Sequence, residues 1–158
     1  RAVLGASRPE GMPAGWGLRG NCDKPEVNVV LSGMTAMDHV DENLKVAETA
    51  APLADREREA VDRVRDFFLK RIKVNCTGCG YCLPCPAGVN IPKNLSYYNN
   101  YYLIDADEAR ARVKYFYDAQ TSPDETSANC VHCGECEGKC PQQLPISDTM
   151  TEVGKVLG

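Results

Sequence analysis

Apolar positions recur at helical spacing through most of the chain. Met37, Val40, Leu44 and Ala47 form one such series, opened by Thr35 as a cap with Asp38 three residues on. Pro52 breaks the pattern. Asp55 opens a second helix with Val61, Val64, Phe68 and Ile72 on one stripe, and its other face, with Arg56, Glu57, Arg58 and Glu59, reads as solvated. Pro92 suits a first helical turn, followed by Leu95, Tyr98 and Tyr102. Asp105 and Glu108 pair as a cap for a helix carrying Ala109, Val113, Phe116 and Tyr117, which Ser122-Pro123-Asp124 ends. A last helix from Ser147 carries Met150, Val153 and Leu157. Only Val27-Asn28-Val29-Val30-Leu31, a β-branched run closed by Ser32-Gly33, predicts a strand. Residues 1–26 are rich in Gly and Pro, lack a period, and read as loop, with Trp16 as an anchor.

Composition narrows the classes. The 158 residues are 43% hydrophobic and 25% charged, an ordinary globular balance for one or two small domains. The formal net charge of −4 gives no ground for nucleic-acid binding, and no apolar stretch spans a bilayer. There is no secretory signal, and the first residue is Arg1, as expected of a fragment or a processed chain.

Nine cysteines change the picture. Cys22 stands alone and reads as a bystander. The others fall into two runs, Cys76-Cys79-Cys82-Cys85 and Cys130-Cys133-Cys136-Cys140, whose spacing favours metal ligation over a disulfide framework. The runs repeat each other: Cys76-Thr77-Gly78-Cys79-Gly80-Tyr81-Cys82 matches Cys130-Val131-His132-Cys133-Gly134-Glu135-Cys136, and each reaches Cys-Pro, at Pro86 and Pro141.

C-x2-C-x2-C turns three thiolates toward one cube, and a [4Fe–4S] cluster needs four. In two-cluster sites of this kind the cysteine before the proline serves the other cluster. The expected ligand sets are therefore Cys76, Cys79, Cys82 and Cys140 for one cluster, and Cys85, Cys130, Cys133 and Cys136 for the other. The first run has two residues rather than three between Cys82 and Cys85. Gly80 and Gly134 let backbone N–H groups approach sulfur. Structural zinc is the competing reading, but zinc ribbons use separated C-x2-C pairs. His132, inside the second run, is a candidate sulfur partner; His39 reads as a helix-surface residue. Tyr97, Tyr98, Tyr101, Tyr102, Tyr115 and Tyr117 suggest an electron path, with core packing the simpler reading.

Cys76 through Pro92, with Cys133-Gly134-Glu135-Cys136 and Cys140-Pro141-Gln142-Gln143, closely resembles the C-terminal ferredoxin domain of iron–sulfur aldo/keto reductase-like oxidoreductases. Pro25 through Met34 resembles the last barrel strand of that family, and Asp41-Glu42-Asn43-Leu44 its following helix. The resemblance implies a mainly α chain. Residues 1–75 would be the end of a (β/α)8 barrel, and residues 76–158 an α-helical ferredoxin domain with two [4Fe–4S] clusters. It implies electron transfer in an oxidoreductase, with the missing barrel or a redox protein as partner; a cytoplasmic location is expected because exposed clusters are oxygen-sensitive. The family's catalytic residues lie on early barrel strands, so none is carried over. The family's Lys and Arg that hold the 2′-phosphate of NADPH correspond here to Gly33 and His39, so that clamp is missing. Gly33 and Asn43 remain the nicotinamide-nucleotide candidates, and NAD(P) would need the complete barrel. The alternative function is an interaction module whose metals, clusters or zinc, only hold the fold.

Overall fold

The computed structural model describes residues 13–48, 51–103 and 105–158. Its elements are α1 (Pro13–Cys22), α2 (Met37–Glu48), α3 (Asp55–Arg71), α4 (Ile91–Leu103), α5 (Asp107–Gln120), two 3-10 turns (Pro123–Glu125 and Ser127–Asn129), the one-turn α6 (Glu135–Gly138) and α7 (Ile146–Leu157). No described residue is in a strand, and no described helix is long and apolar enough to cross a membrane. The chain divides into two compact units between Phe67 and Phe68.

In the first unit two expectations are corrected. The loop expected over residues 1–26 contains α1, whose Pro13 occupies the first helical position, where a missing N–H costs nothing. Its glycines hide the helical period, and one of them, Gly15, faces α2: a Cβ there would stand 3.4 Å from Val46. Residues 1–12 of that expected loop lie outside the described residues. The strand expected at Val27–Leu31 is absent. A strand exists only with a partner for its N–H and C=O groups, and no described segment supplies one. Val29 and Leu31 are 77% and 92% exposed instead.

The unit is small in core and strong in charge. Among its described residues, Trp16, Leu53 and Ala60 are the buried apolar ones. The face of α3 read as solvated is partly engaged. Glu57 accepts from Arg19 Nη1 and Nη2, at 2.6 and 2.9 Å, and also from the Ala54 N–H at 3.0 Å, capping α3 from its first turn. Asp55, the expected cap, is exposed and pairs with Arg58 at 3.4 Å. Asp23 accepts Arg58 Nε and the Leu53 N–H, at 3.0 and 2.8 Å.

Those bonds favour the carboxylate of Asp23. The Arg58 guanidinium first, then the Leu53 N–H, hold its pKa at about 2, below the ordinary 3.8. A depressed carboxylate pKa contributes stability above the unfolded value and loses it as pH falls through the folded one. The contribution is therefore present above about pH 4 and gone near pH 2. Trp16 is the chain's one tryptophan, so its fluorescence should report this unit opening across that window. Asp23→Asn should remove the part of the pH dependence that lies there.

The second unit packs α4 against α5 and α7. Its core joins Val74, Val89, Ile91, Leu95, Tyr98, Tyr117, Ile146, Met150, Val153 and Leu157. These include all of the helical series read for α7 and Leu95 and Tyr98 of that read for α4, whose Tyr102 is half-buried against the core. Asp105 does not cap α5: that helix starts one residue after Ala106 with no side-chain cap, while Asp105 pairs with Arg71 and Arg110.

Of the buried polar residues described in this unit, Asn94 is the most deeply placed, with no exposed surface. Its Nδ2 donates to the carbonyls of Asn90 and Glu125, both at 2.8 Å. Its Oδ1 accepts the Tyr117 hydroxyl at 2.6 Å and the Ser127 N–H at 2.9 Å. One side chain thus ties α4 to α5 and to the turns that lead into Cys130. Asn99 does the same upstream of Cys76: its Oδ1 accepts the N–H groups of Lys73 and Val74, and its Nδ2 donates to the Val74 carbonyl.

Candidate metal centre

The two cysteine runs repeat in backbone as well as in sequence. Three positions in each lie in the left-handed region. Gly78, Gly80 and Gly88 have φ of 70°, 77° and 80°; His132, Gly134 and Gln143, the corresponding residues, have 54°, 75° and 52°. Hydrogen bonds repeat too. Leu83 N–H donates to the Gly80 carbonyl as Glu137 does to Gly134, at 2.9 and 3.0 Å. Gly88 donates to Cys85 as Gln143 does to Cys140, both at 3.0 Å. Ile91 donates to Val89 as Ile146 does to Leu144, at 3.0 and 2.9 Å. Each run then enters a helix, α4 or α7, at the same position. The connection that is one residue shorter, between Cys82 and Cys85, contains a cis Leu83–Pro84 peptide and leaves the matching turns intact.

Left-handed backbone is costly for a residue with a Cβ, so the two halves are not equally relaxed. Gly88→Ala would place a Cβ 3.2 Å from the Asp124 carbonyl as well as at positive φ. It should lower stability by about 1–2 kcal/mol. Gln143→Gly relieves the same strain and should raise stability by up to about 1 kcal/mol, less the entropy cost of glycine. Chemical denaturation of the metal-loaded chain measures both.

The eight thiols line two open concavities, which span about 350 and 340 Å³ with the open space at their mouths included. One is lined by Cys76, Cys79, Cys82 and Cys140, with Ile91, Leu95, Leu144 and Ile146. The other is lined by Cys85, Cys130, Cys133 and Cys136, with Val89, Ile91, Ile146 and Met150. Ile91 and Ile146, equivalent residues in the repeat, line both and so stand between them. Cys79 and Cys133, again equivalent, are the exposed thiols of their sets; the other six are half-buried.

Electrostatics tie each set together. Backbone N–H donation from Tyr81 first, then the Thr77 hydroxyl, pulls the Cys79 thiol below its ordinary pKa. Burial pushes Cys82 up, and the neighbouring sulfurs of Cys76, Cys79 and Cys140 push the same way. Burial also raises Cys136, followed by Glu137, Cys130 and Cys133. Thiolates gathered this way repel one another until a cationic group lies among them, which couples metal binding to folding. Among the described residues no three Cys, His, Asp or Glu side chains converge tightly enough for a single metal ion. Four thiols spread around an apolar hollow, with Gly78 N–H donating to Cys76 Sγ at 3.4 Å, suit a polynuclear iron–sulfur group.

Supporting residues escaped the sequence reading. Glu137 accepts the Ser147 N–H at 2.8 Å and so caps α7 from the second loop. Asn94 and Asn99 are mid-helix asparagines, poor helix formers, and that misfit was the available signal. Cys22 is exposed at the end of α1 in the first unit. Asn43 donates to Ser32 Oγ at 3.0 Å, with Gly33 exposed beside it. His39 Nδ1 accepts the Thr35 N–H at 3.5 Å, and His132 Nε2 lies 3.5 Å from Thr151 Oγ1. The tyrosines make edge-to-face contacts, Tyr97 with Tyr117 at 5.5 Å and Tyr98 with Tyr102 at 5.2 Å. Burial, with Tyr102 second, pushes the Tyr98 hydroxyl to about 12.

Residues 75–144 match the 4Fe-4S dicluster domain family, so this stretch is an iron–sulfur, ferredoxin-like domain. No curated protein and no solved structure matches the chain.

Proposed function

We propose that this chain carries two [4Fe–4S] clusters and passes electrons between them as the C-terminal module of an aldo/keto reductase-like oxidoreductase. The observation that carries the reading is the four-and-four division of the thiols, each set drawn from both runs. Cys76, Cys79, Cys82 and Cys140 hold one cluster; Cys85, Cys130, Cys133 and Cys136 hold the other. Bound there, the clusters supply one-electron chemistry. The chain supplies the ligands, the amide donors, the apolar walls, and the short partition of Ile91 and Ile146.

The first unit supports the larger context. Val29, Leu31, Met34, Met37 and Leu44 are exposed although their spacing is that of a strand and a core-facing helix. So many unpartnered apolar residues in one segment suit a surface that a further domain covers. The nicotinamide nucleotide, if used, belongs to that complete assembly, with Gly33 and Asn43 as its contacts in this chain.

Redox cycling tests the reading. The chain prepared without oxygen should show a brown absorption that dithionite bleaches and a mild oxidant restores. A chain that holds its metal but shows no reversible change has a structural metal and no electron-transfer role.

A further inference from the structure

The two loops match in backbone but differ in what faces the sulfurs. In the first, Cys76 Sγ accepts from Gly78 N–H, and Thr77, with a hydroxyl to donate, lines the same hollow as Cys79. The residue equivalent to Thr77 is Val131, whose methyls donate nothing. From Val74 to Pro92 the first segment has no charged residue. The residues equivalent to Tyr81 and Leu83 are Glu135 and Glu137. Lys139 lies 3.9 Å from Glu135 and offsets it. Among the described residues no cation pairs with Glu137; the Ser147 N–H pins its carboxylate on the residue that follows Cys136.

Reduction adds one negative charge to a cluster. Hydrogen bonds to sulfur stabilise that charge and raise the potential, and a fixed carboxylate opposes it and lowers the potential. Both differences act in the same sense. Resting on the two-cluster reading above, we infer that the sites have unequal potentials, the site of Cys76, Cys79, Cys82 and Cys140 being the higher, and that Thr77 and Glu137 set the gap. One electron from a low-potential one-electron donor then settles at the first site. Passing there from the second site, it oxidises one cluster and reduces the other by one charge each, with no bond or proton exchanged. It leaves to a one-electron acceptor. The exposed Cys133 marks the entry side and the exposed Cys79, beside exposed Tyr81, the exit.

The test is a potentiometric titration of the full chain without oxygen, with dithionite and mediators, followed by electron paramagnetic resonance. Iron and sulfide are assayed on each sample. Two separated one-electron waves are expected. Thr77→Val should lower only the higher wave, changing the reduced-to-oxidised ratio at fixed potential by up to about tenfold, or about 59 mV for one electron. Thr77→Ser, which keeps the hydroxyl, should leave it in place. Glu137→Gln, which can still accept from Ser147, should raise only the lower wave, and Val131→Thr should act likewise. If the clusters are present but the waves coincide, or Thr77→Val moves the lower wave, the inference is overturned while the two-cluster reading stands. If the wild-type chain holds no iron and sulfide, the two-cluster reading itself fails.

Discussion

Cys140→Ala is expected to cut the iron of the anaerobically prepared chain from about eight atoms toward about four, at four irons per cluster. The cluster it removes is the one on the other run. Cys140 lines the same hollow as Cys76, Cys79 and Cys82, and its sulfur acts on Cys82. Removing it leaves three thiolates and an open corner. Double variants locate the loss, because substitutions in one site are non-additive and those in separate sites add. Adding Cys79→Ala to Cys140→Ala should cost little more iron. Adding Cys133→Ala should remove nearly all that remains. The reverse pattern would mean that each run holds its own cluster, contrary to the crossed arrangement.

Asn94→Leu is expected to destabilise the second unit by about 3–5 kcal/mol. The side chain is fully buried and makes four hydrogen bonds. Leucine is of similar size but supplies no polar atom. Both the Tyr117 hydroxyl and the Ser127 N–H lose the Asn94 acceptor, and an unsatisfied buried group costs about 1–3 kcal/mol. Tyr117→Phe removes only one of these bonds and should cost about 1 kcal/mol. The larger change also frees the turns that deliver Cys130, so iron should be lost first from the site of Cys85, Cys130, Cys133 and Cys136. Denaturation midpoints, with iron retained per chain, measure both effects. A midpoint for Asn94→Leu within error of the wild type would refute the anchoring role.

What the sequence disclosed depended on how local the cause was. The cysteine spacing and the internal repeat are local, and they pointed to the residues that line the two hollows. The helices α4 and α7 were readable because their apolar positions face one core. Even the strained residues had a signal: the repeat sets His132 and Gln143 opposite Gly78 and Gly88, and so at positions where backbone of positive φ is required. The first unit was harder. In α1 the glycines, Gly15 against Val46 among them, erase the apolar period. At Val27–Leu31 a β-branched run has strand propensity, but a strand requires a neighbour that no local pattern contains. Glu57, Asp23 and Asn94 take their roles from partners far along the chain, so composition alone made them look like solvent-facing or neutral residues.

The central claim is that the eight thiols hold two cubane clusters, and metal analysis tests it most directly. Iron, acid-labile sulfide and zinc are to be assayed together on the full chain purified without oxygen. The account predicts about eight irons and about eight sulfides per chain, with zinc absent. Zinc bound in stoichiometric amount without sulfide would contradict it and leave a structural metal module.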